Sequence, residues 1–366
     1  MLEKIIKGIK KVKSSLKTAI GLGIVGLGLA TSGVKAADEY EITKIIIPDP
    51  NANFIMATGI NEYGEVVGFY GKTDGFKTFW RKAFLYKNKI VKDLGESASY
   101  LSPAINDLGD VVASKESSYP GKSSIYTLGK TIGIDFWGKD INNKGEIVGG
   151  NWLYSGGQTI KLYVSGLGFE LNSINDYTQI VGSSFDDFGT HAFLWEKGIE
   201  TSLPSPFCAA LNINNNGKIV GSFYSRRGTY YYTYSCLWEK DVMDKWVVRQ
   251  LDTSNSRANA INDKGQVVGI SDLNTPLPIA VLYQNGRKIN LNGLLLENSE
   301  WERLVCALDI NDKGQIVGYG EGHNEPGSQY AFVMTPKPKQ SPDLNEDGIV
   351  NLHDLSELAE HWLEER

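Results

Sequence analysis

Cysteine is scarce: Cys208, Cys236 and Cys306 are the three in 366 residues. An odd number with no motif spacing gives no disulfide framework, and the three read as small core residues on strands. No CxxC, HExxH, GxSxG or P-loop is present, so the standard catalytic motifs give no lead. A membrane-spanning run is missing too. The uncharged stretch from Thr18 to Val34 is short and rich in glycine, whereas a span needs about 20 predominantly apolar residues. Net positive charge is also absent. The chain carries −6, and its first 36 residues hold seven lysines against one glutamate, so the remainder stands at −12. That balance argues against nucleic acid as a partner, because phosphate binding wants a basic patch.

What is present starts with those first 36 residues. Lys4, Lys7, Lys10, Lys11, Lys13 and Lys17 precede a short apolar stretch, Ile20 to Ala30, and then Val34-Lys35-Ala36. Basic, apolar and small residues in that order predict a signal peptide cut after Ala36, hence a secreted, periplasmic or cell-surface protein with no membrane span after cleavage.

Between residues 37 and 334 the chain repeats itself. Ile-Asn recurs at Ile60, Ile105, Ile141, Ile174, Ile213, Ile261 and Ile310, in steps of 45, 36, 33, 39, 48 and 49 residues. Each copy leads to a β-branched or near-β-branched pair and, in six of seven, a glycine; the second has Ala113. A small residue stands three before the Ile in six copies, and Leu171 stands there in the fourth. Within a copy, NDKG reads as a type I turn with glycine in the left-handed region, its Asn bonding backbone two residues on. Thr178 replaces that glycine in the fourth copy, which predicts a different turn there.

A second hairpin follows in each copy. IAVLYQNGRKINL, KAFLYKNKIVKDL, HAFLWEKGIETSL and SCLWEKDVMDKWVVRQL supply it in the sixth, first, fourth and fifth, SSIYTLGKTIGIDF in the second and IKLYVSGLGFEL in the third. Four short antiparallel strands per unit of about 40–45 residues is the size of a propeller blade. The apolar pair suits a strand buried on both faces, and the glycine after it marks close backbone approach or a bulge. A parallel β-solenoid is the alternative, but its rungs are shorter and lack paired hairpin turns. The seventh copy stops after three strands at YAFVMTP, while EITKIII (41–47) is an orphan strand at the start. Pairing the two would remove both open edges. The expectation is all-β: a seven-bladed propeller closed by its N-terminal strand. The pattern small-x-x-Ile-Asn-x-x-Gly-x-Val-Val-Gly, with His191-Ala192-Phe193-Leu194-Trp195 after it, resembles the HAF family of extracellular repeats. The resemblance implies export and a β-repeat architecture, and no particular chemistry.

Residues 335–342, TPKPKQSP, form a linker. The tail 343–366 opens with DLNEDGIVNLHD. Asp343, Asn345, Asp347, the Ile349 carbonyl, Asn351 and Asp354 stand where a 12-residue EF-hand loop places its Ca2+ ligands, with Gly348 at the sharp turn. A helical pattern follows, with Leu352, Leu355, Leu358, Ala359 and Trp362 on one face. The stretch resembles one half of a type I dockerin, which implies a cohesin-like partner. Leu352 and His353 stand where that family often has Ser or Thr, and the second loop-helix is missing. His353 and His361 read as surface residues.

The stereotyped turns would lie on one face and the variable second-to-third-strand loops on the other, where function usually sits. Trp80, Arg226, Arg227, Tyr230, Tyr231 and Tyr232 are the candidate contacts for a glycan or protein ligand, aromatic rings suiting the apolar face of a sugar. The reading is a secreted, non-catalytic binding or scaffold protein for a polysaccharide or cell-envelope component. The alternative is a carbohydrate-active enzyme, which needs two carboxylates across a cleft. Asp74, Glu116, Asp186, Asp187, Asp272 and Glu321 are the loop-face acids, and nothing in the sequence singles out a pair.

Overall fold

The computed structural model describes residues 40–337, apart from 75–76, 98–100, 116–120, 206, 228–229, 324–326 and the side chains of 226, 227, 230 and 231. The expected signal peptide, most of the expected linker and the tail expected to bind Ca2+ lie outside the described residues. The described chain is all-β, with one short 3-10 turn at Leu291–Leu294. Its strands make five four-stranded meanders and one eight-stranded sheet. All ladders are antiparallel except a single parallel bridge, Phe54 to Gln329, which joins the two halves of the larger sheet. A parallel solenoid is thereby excluded.

In that larger sheet one half is Phe54–Ile60, Val66–Thr73, Thr78–Lys87 and Ile90–Glu96. The other half is Trp301–Ile310, Ile316–Gly322 and Gln329–Pro336, completed by Tyr40–Lys44. The orphan strand pairs antiparallel with the last one, Tyr40 opposite Pro336 and Lys44 opposite Phe332. Ile45 and Ile47 continue into the core beside Ile55, Val66 and Val317.

The β-branched pairs explain how the sheets stack. One member of each pair packs on one face of its strand and the other on the opposite face. Val66 belongs to a core shared with Val317, whereas Val67 joins Val111. Val112 then meets Ile147, Val148 meets Ile180, Val181 meets Ile219, Val220 meets Val267, and Val268 meets Ile316. The series returns to Val317, so the inter-sheet cores form a closed circle. Most of these residues are fully buried, and each contributes about 1.5–3 kcal/mol relative to exposure.

The glycine after the pair is needed where the first strand bulges against it. A Cβ on Gly269 would lie 2.0 Å from the Arg257 carbonyl oxygen, beside the register shift between Ala258 and Ala260. In the second repeat the first strand shortens to Ala104–Ile105, and Ala113 is accommodated.

Two expectations need correction. The fourth turn is not different: Thr178 takes φ +61°, close to the +73° to +78° of the glycines at the equivalent positions. Its N–H donates to the Asn175 carbonyl at 3.0 Å, as Gly265 does to Asn262. Side-chain bonding holds this residue in the left-handed region, since its hydroxyl donates to Glu146 Oε2 at 2.7 Å. The second hairpin of the third repeat lies earlier than IKLYVSGLGFEL, at Trp152–Ser155 and Gln158–Lys161. Gly156 and Gly157, both at positive φ, make the tight turn. Gly168–Ile174 is instead the first strand of the fourth repeat.

Candidate functional site

The first strands neighbour one another in turn around an axis, and Phe54–Ile60 closes the circle against Trp301–Ile310. The repeated Asn residues hold this axis together. Asn61 Nδ2 donates to the Asn106 carbonyl, Asn106 to Asn142, Asn142 to Asn175, Asn175 to Asn214, Asn214 to Asn262, Asn262 to Asn311 and Asn311 back to Asn61, at 2.8–3.1 Å. Each Asn Oδ1 also accepts within its own turn. For Asn311 the donors are the N–H groups of Lys313 at 3.1 Å and Gln315 at 2.9 Å, and Nδ2 reaches Gln315 Oε1 at 2.8 Å. All four hydrogen-bonding positions of this buried amide are filled.

A second circle lies one residue further on. The N–H of Glu62 donates to Asp107, Asp107 to Asn143, Asn143 to Asp176, Asp176 to Asn215, Asn215 to Asp263, Asp263 to Asp312 and Asp312 to Glu62, at 2.6–2.9 Å and always to a side-chain oxygen. Five carboxylates therefore share one mouth of the axis, with Asn143 Nδ2 bridging Asp107 and Asp176. Burial raises the Glu62 carboxyl, and repulsion from Asp312 and Asp107 adds to it. Burial raises Asp263 as well, with Asp312 and Asp176 contributing. The turn face is thus interlocked by its own donors and acceptors.

Beyond these circles Asp140 and Asp309 project from first strands. Asp309 accepts from Ile310 N and from Ile60 N, both at 2.9 Å, and so ties the last repeat to the first. Asp140 accepts from Ile141 N and Ile174 N, also at 2.9 Å. Burial pushes Asp309 up to about 7 against those two donors, with Asp140 and Glu62 repelling it. The axis then widens toward the loop face into a cavity of about 480 Å³, lined by both carboxylates, Lys139, Arg257 and several amides. Sequence reasoning missed these residues. The signal available was the position before each Ile, which varies while Ile-Asn does not.

The candidate contacts read from sequence lie elsewhere. Trp80 is half-buried on Thr78–Lys87 and meets Tyr70 edge-on at 5.9 Å. Tyr232 stacks on Tyr234 at 6.3 Å, and Tyr234 is buried. Arg226 pairs with Tyr231 and Arg227 with Tyr230 in main-chain register on a long β-ribbon. Their side chains are outside the description. The first and fifth repeats are not neighbours around the axis, so Trp80 and the Tyr ribbon do not share one site. Much of the supposed loop sequence is extended hairpin, Val66–Thr73 with Thr78–Lys87 and Ile219–Arg227 with Tyr230–Lys240.

The loop-face acids are dispersed: Asp186 and Asp187 share the turn between Ile180–Asp186 and Gly189–Glu196, Asp74 and Asp272 follow other strands, and Glu321 lies within Ile316–Gly322. Asp186 accepts from Phe188 N, Gly189 N and the His191 ring, and Asp74 from Lys77 N. Glu321 forms a two-pronged pair with Arg303, both bonds at 3.0 Å. Glu116 and the residues expected to ligate Ca2+, Asp343, Asn345, Asp347, Ile349, Asn351 and Asp354, lie outside the described residues. Among the described residues no cluster of His, Cys, Asp or Glu has metal-site geometry, and the three cysteines are buried free thiols.

Comparison with known families finds no match, and comparison with curated proteins finds none. Solved structures do match. The β-propeller domain of the trilobed protease from Pyrococcus furiosus, described as having an open velcro topology, gives a TM-score of 0.53 at 12% identity, over 77% of this chain and 95% of that one. An acylaminoacyl peptidase from Pyrococcus horikoshii gives 0.51 at 12% identity over 81% of this chain and 54% of its own, so this chain spans about half of that peptidase. The WD40 repeats of RRP9 give 0.50 at 9% identity over 81% and 98%. At such identities the likeness is one of fold: β-propeller.

Proposed function

We propose that this chain is an exported, non-catalytic binding or scaffold protein, a seven-bladed propeller of HAF-like repeats that holds a polysaccharide or cell-envelope component on its loop face. The contrast between the faces carries the reading. The turn face commits its main-chain N–H groups and one side-chain oxygen of each acceptor to two closed circles of hydrogen bonds between repeats, a framework role repeated around the axis. The loop face displays unlike hairpins with exposed rings such as Phe79 and Phe188. Binding is favoured over hydrolysis because Glu321 is committed to Arg303 and Asp186 to its own turn. The dockerin-like tail would add one Ca2+ through Asp343, Asn345, Asp347, Ile349, Asn351 and Asp354, for attachment to a cohesin-like partner.

A glycan array with the chain from Ala37 to Arg366 tests the reading. Retained glycans should lose affinity when Trp80 becomes Ala or, in a separate variant, when Tyr231 and Tyr232 become Ala, each checked for retained fold by circular dichroism because Trp80 also packs on Tyr70 and Tyr232 on Tyr234. Release of reducing sugar would favour the enzyme alternative. Calorimetry with Ca2+ should give heat that Asp343→Ala with Asp347→Ala removes, and the absence of any heat rejects the tail site.

A further inference from the structure

The repeats agree where they build the frame and disagree where they face the axis. Ile and Asn recur in all seven copies. The residue before the Ile is small in three, Gly59, Ala104 and Ala260, and polar in the other four, among them Asp140 and Asp309. Small residues on some repeats and long ones on others leave a cavity of about 480 Å³ on the loop side, lined by residues of every repeat and within the range of small-molecule sites.

Arg257 and two carboxylates, Asp309 and Asp140, line that cavity with no ion pair among the described residues. Arg257 makes one side-chain hydrogen bond, Nε to Asn259 Oδ1 at 2.9 Å, so its terminal N–H groups remain available. Each Asp309 oxygen takes one neutral main-chain N–H, and no cation is paired with it. Lys139, the other cation there, is committed to Glu170 Oε1 and Asn172 Oδ1, both at 2.7 Å. Arg257 and Asp309 belong to adjacent repeats, yet they are not paired with each other, and Leu308 lines the same wall. Asp309 is partly enclosed and has no counter-charge, which is unfavourable for its anion, while Arg257 lines the same cavity from an exposed position; a ligand carrying both opposite charges would supply Asp309 with a cation and reach the open Arg257 N–H groups at once.

We propose that this axial cavity binds a zwitterion of amino-acid to dipeptide size, its carboxylate on the Arg257 guanidinium, its ammonium on Asp309 and its apolar stem against Leu308. Guanidinium and carboxylate match in planar two-pronged geometry. The inference concerns the axis and does not rest on glycan binding by the rim.

The experiment is calorimetry of the chain from Ala37 to Arg366 at pH 8 with a series of ω-amino acids. Each is paired with its N-acetyl and its carboxamide derivative. One chain length should bind, and each blocked derivative should bind about tenfold more weakly, as loss of one charge-assisted contact implies. Arg257→Gln should abolish the preference for a free carboxylate and keep that for a free amine. Asp309→Asn should do the reverse. Asn212 already fills the equivalent position of the fifth repeat and accepts from Ile261 N at 3.1 Å, so the amide fits; Arg257 is exposed, and its variant keeps the test open should the first misfold. No binding by any parent compound at about 10 mM, or equal binding of parent and blocked forms, overturns the proposal. So does an Arg257→Gln variant that keeps the carboxylate preference. Glycan binding at the rim can fail without touching any of these outcomes.

Discussion

Asn311 Nδ2 donates to the main-chain carbonyl of Asn61 at 2.9 Å, across 250 residues of sequence. The same bond joins every other neighbouring pair of repeats, so this one closes a circle that no single repeat can form. The Asn is therefore a fastener between sheets as well as a turn residue.

Asn311→Ala removes four hydrogen bonds and leaves the Asn61 carbonyl and two turn N–H groups short of partners in a buried place. The expected cost is about 2–4 kcal/mol, read from the midpoint of denaturant unfolding. Asn311→Asp, which keeps the acceptor and loses both donors, should also destabilise. A loss below about 1 kcal/mol in both variants would show that the circle contributes little.

Removal of residues 37–48 strips Tyr40–Lys44 from Gln329–Pro336 and takes buried Ile45 and Ile47 out of the core. Two such side chains contribute on the order of 5 kcal/mol, and the bared strand invites edge-to-edge association. The truncated chain should melt at least roughly 10 °C lower and show oligomers in light scattering. Melting identical to that of the chain from Ala37 would refute closure by this strand.

Thr178 sits in the left-handed region that a β-branched residue avoids, at a cost of about 1–2 kcal/mol. Its hydroxyl bond to Glu146 offsets part of this. Thr178→Gly relieves the strain and loses the bond, so stability should change by less than about 1 kcal/mol. Thr178→Ala keeps most of the strain and loses the bond, and it should unfold at lower denaturant than either. The opposite order of Gly and Ala would refute this account.

Folded Asp309 keeps its proton up to about pH 7, chiefly through burial, with Asp140 and Glu62 facing it and the N–H groups of Ile60 and Ile310 opposing. An unfolded aspartate releases its proton near pH 4. Between about pH 4 and 7 the folded chain holds the extra proton, so the contribution of Asp309 is full below that window and declines as pH rises through it. Asp309→Asn cannot titrate. The melting temperature of the parent minus that of the variant should therefore fall from pH 4 to pH 7.5. A constant difference across that window rejects the assignment.

The repeat, its strands and its need for closure were legible in the sequence because they rest on local rules. Paired β-branched residues, Asn-x-x-Gly turns and a three-strand remainder each act within about ten residues or by simple count. Thr178 shows where local rules end: a turn that propensity disfavours is held by a hydroxyl bond to Glu146, 32 residues away. The two circles and the charged axial cavity were decided only in three dimensions, because their bonds join residues 33 to 250 apart in sequence. One repeat shows merely an Asn followed by an acid or amide. The cavity depends on how unlike residues, such as Gly59, Asp140 and Asp309, meet across the axis, and no repeat contains that information alone.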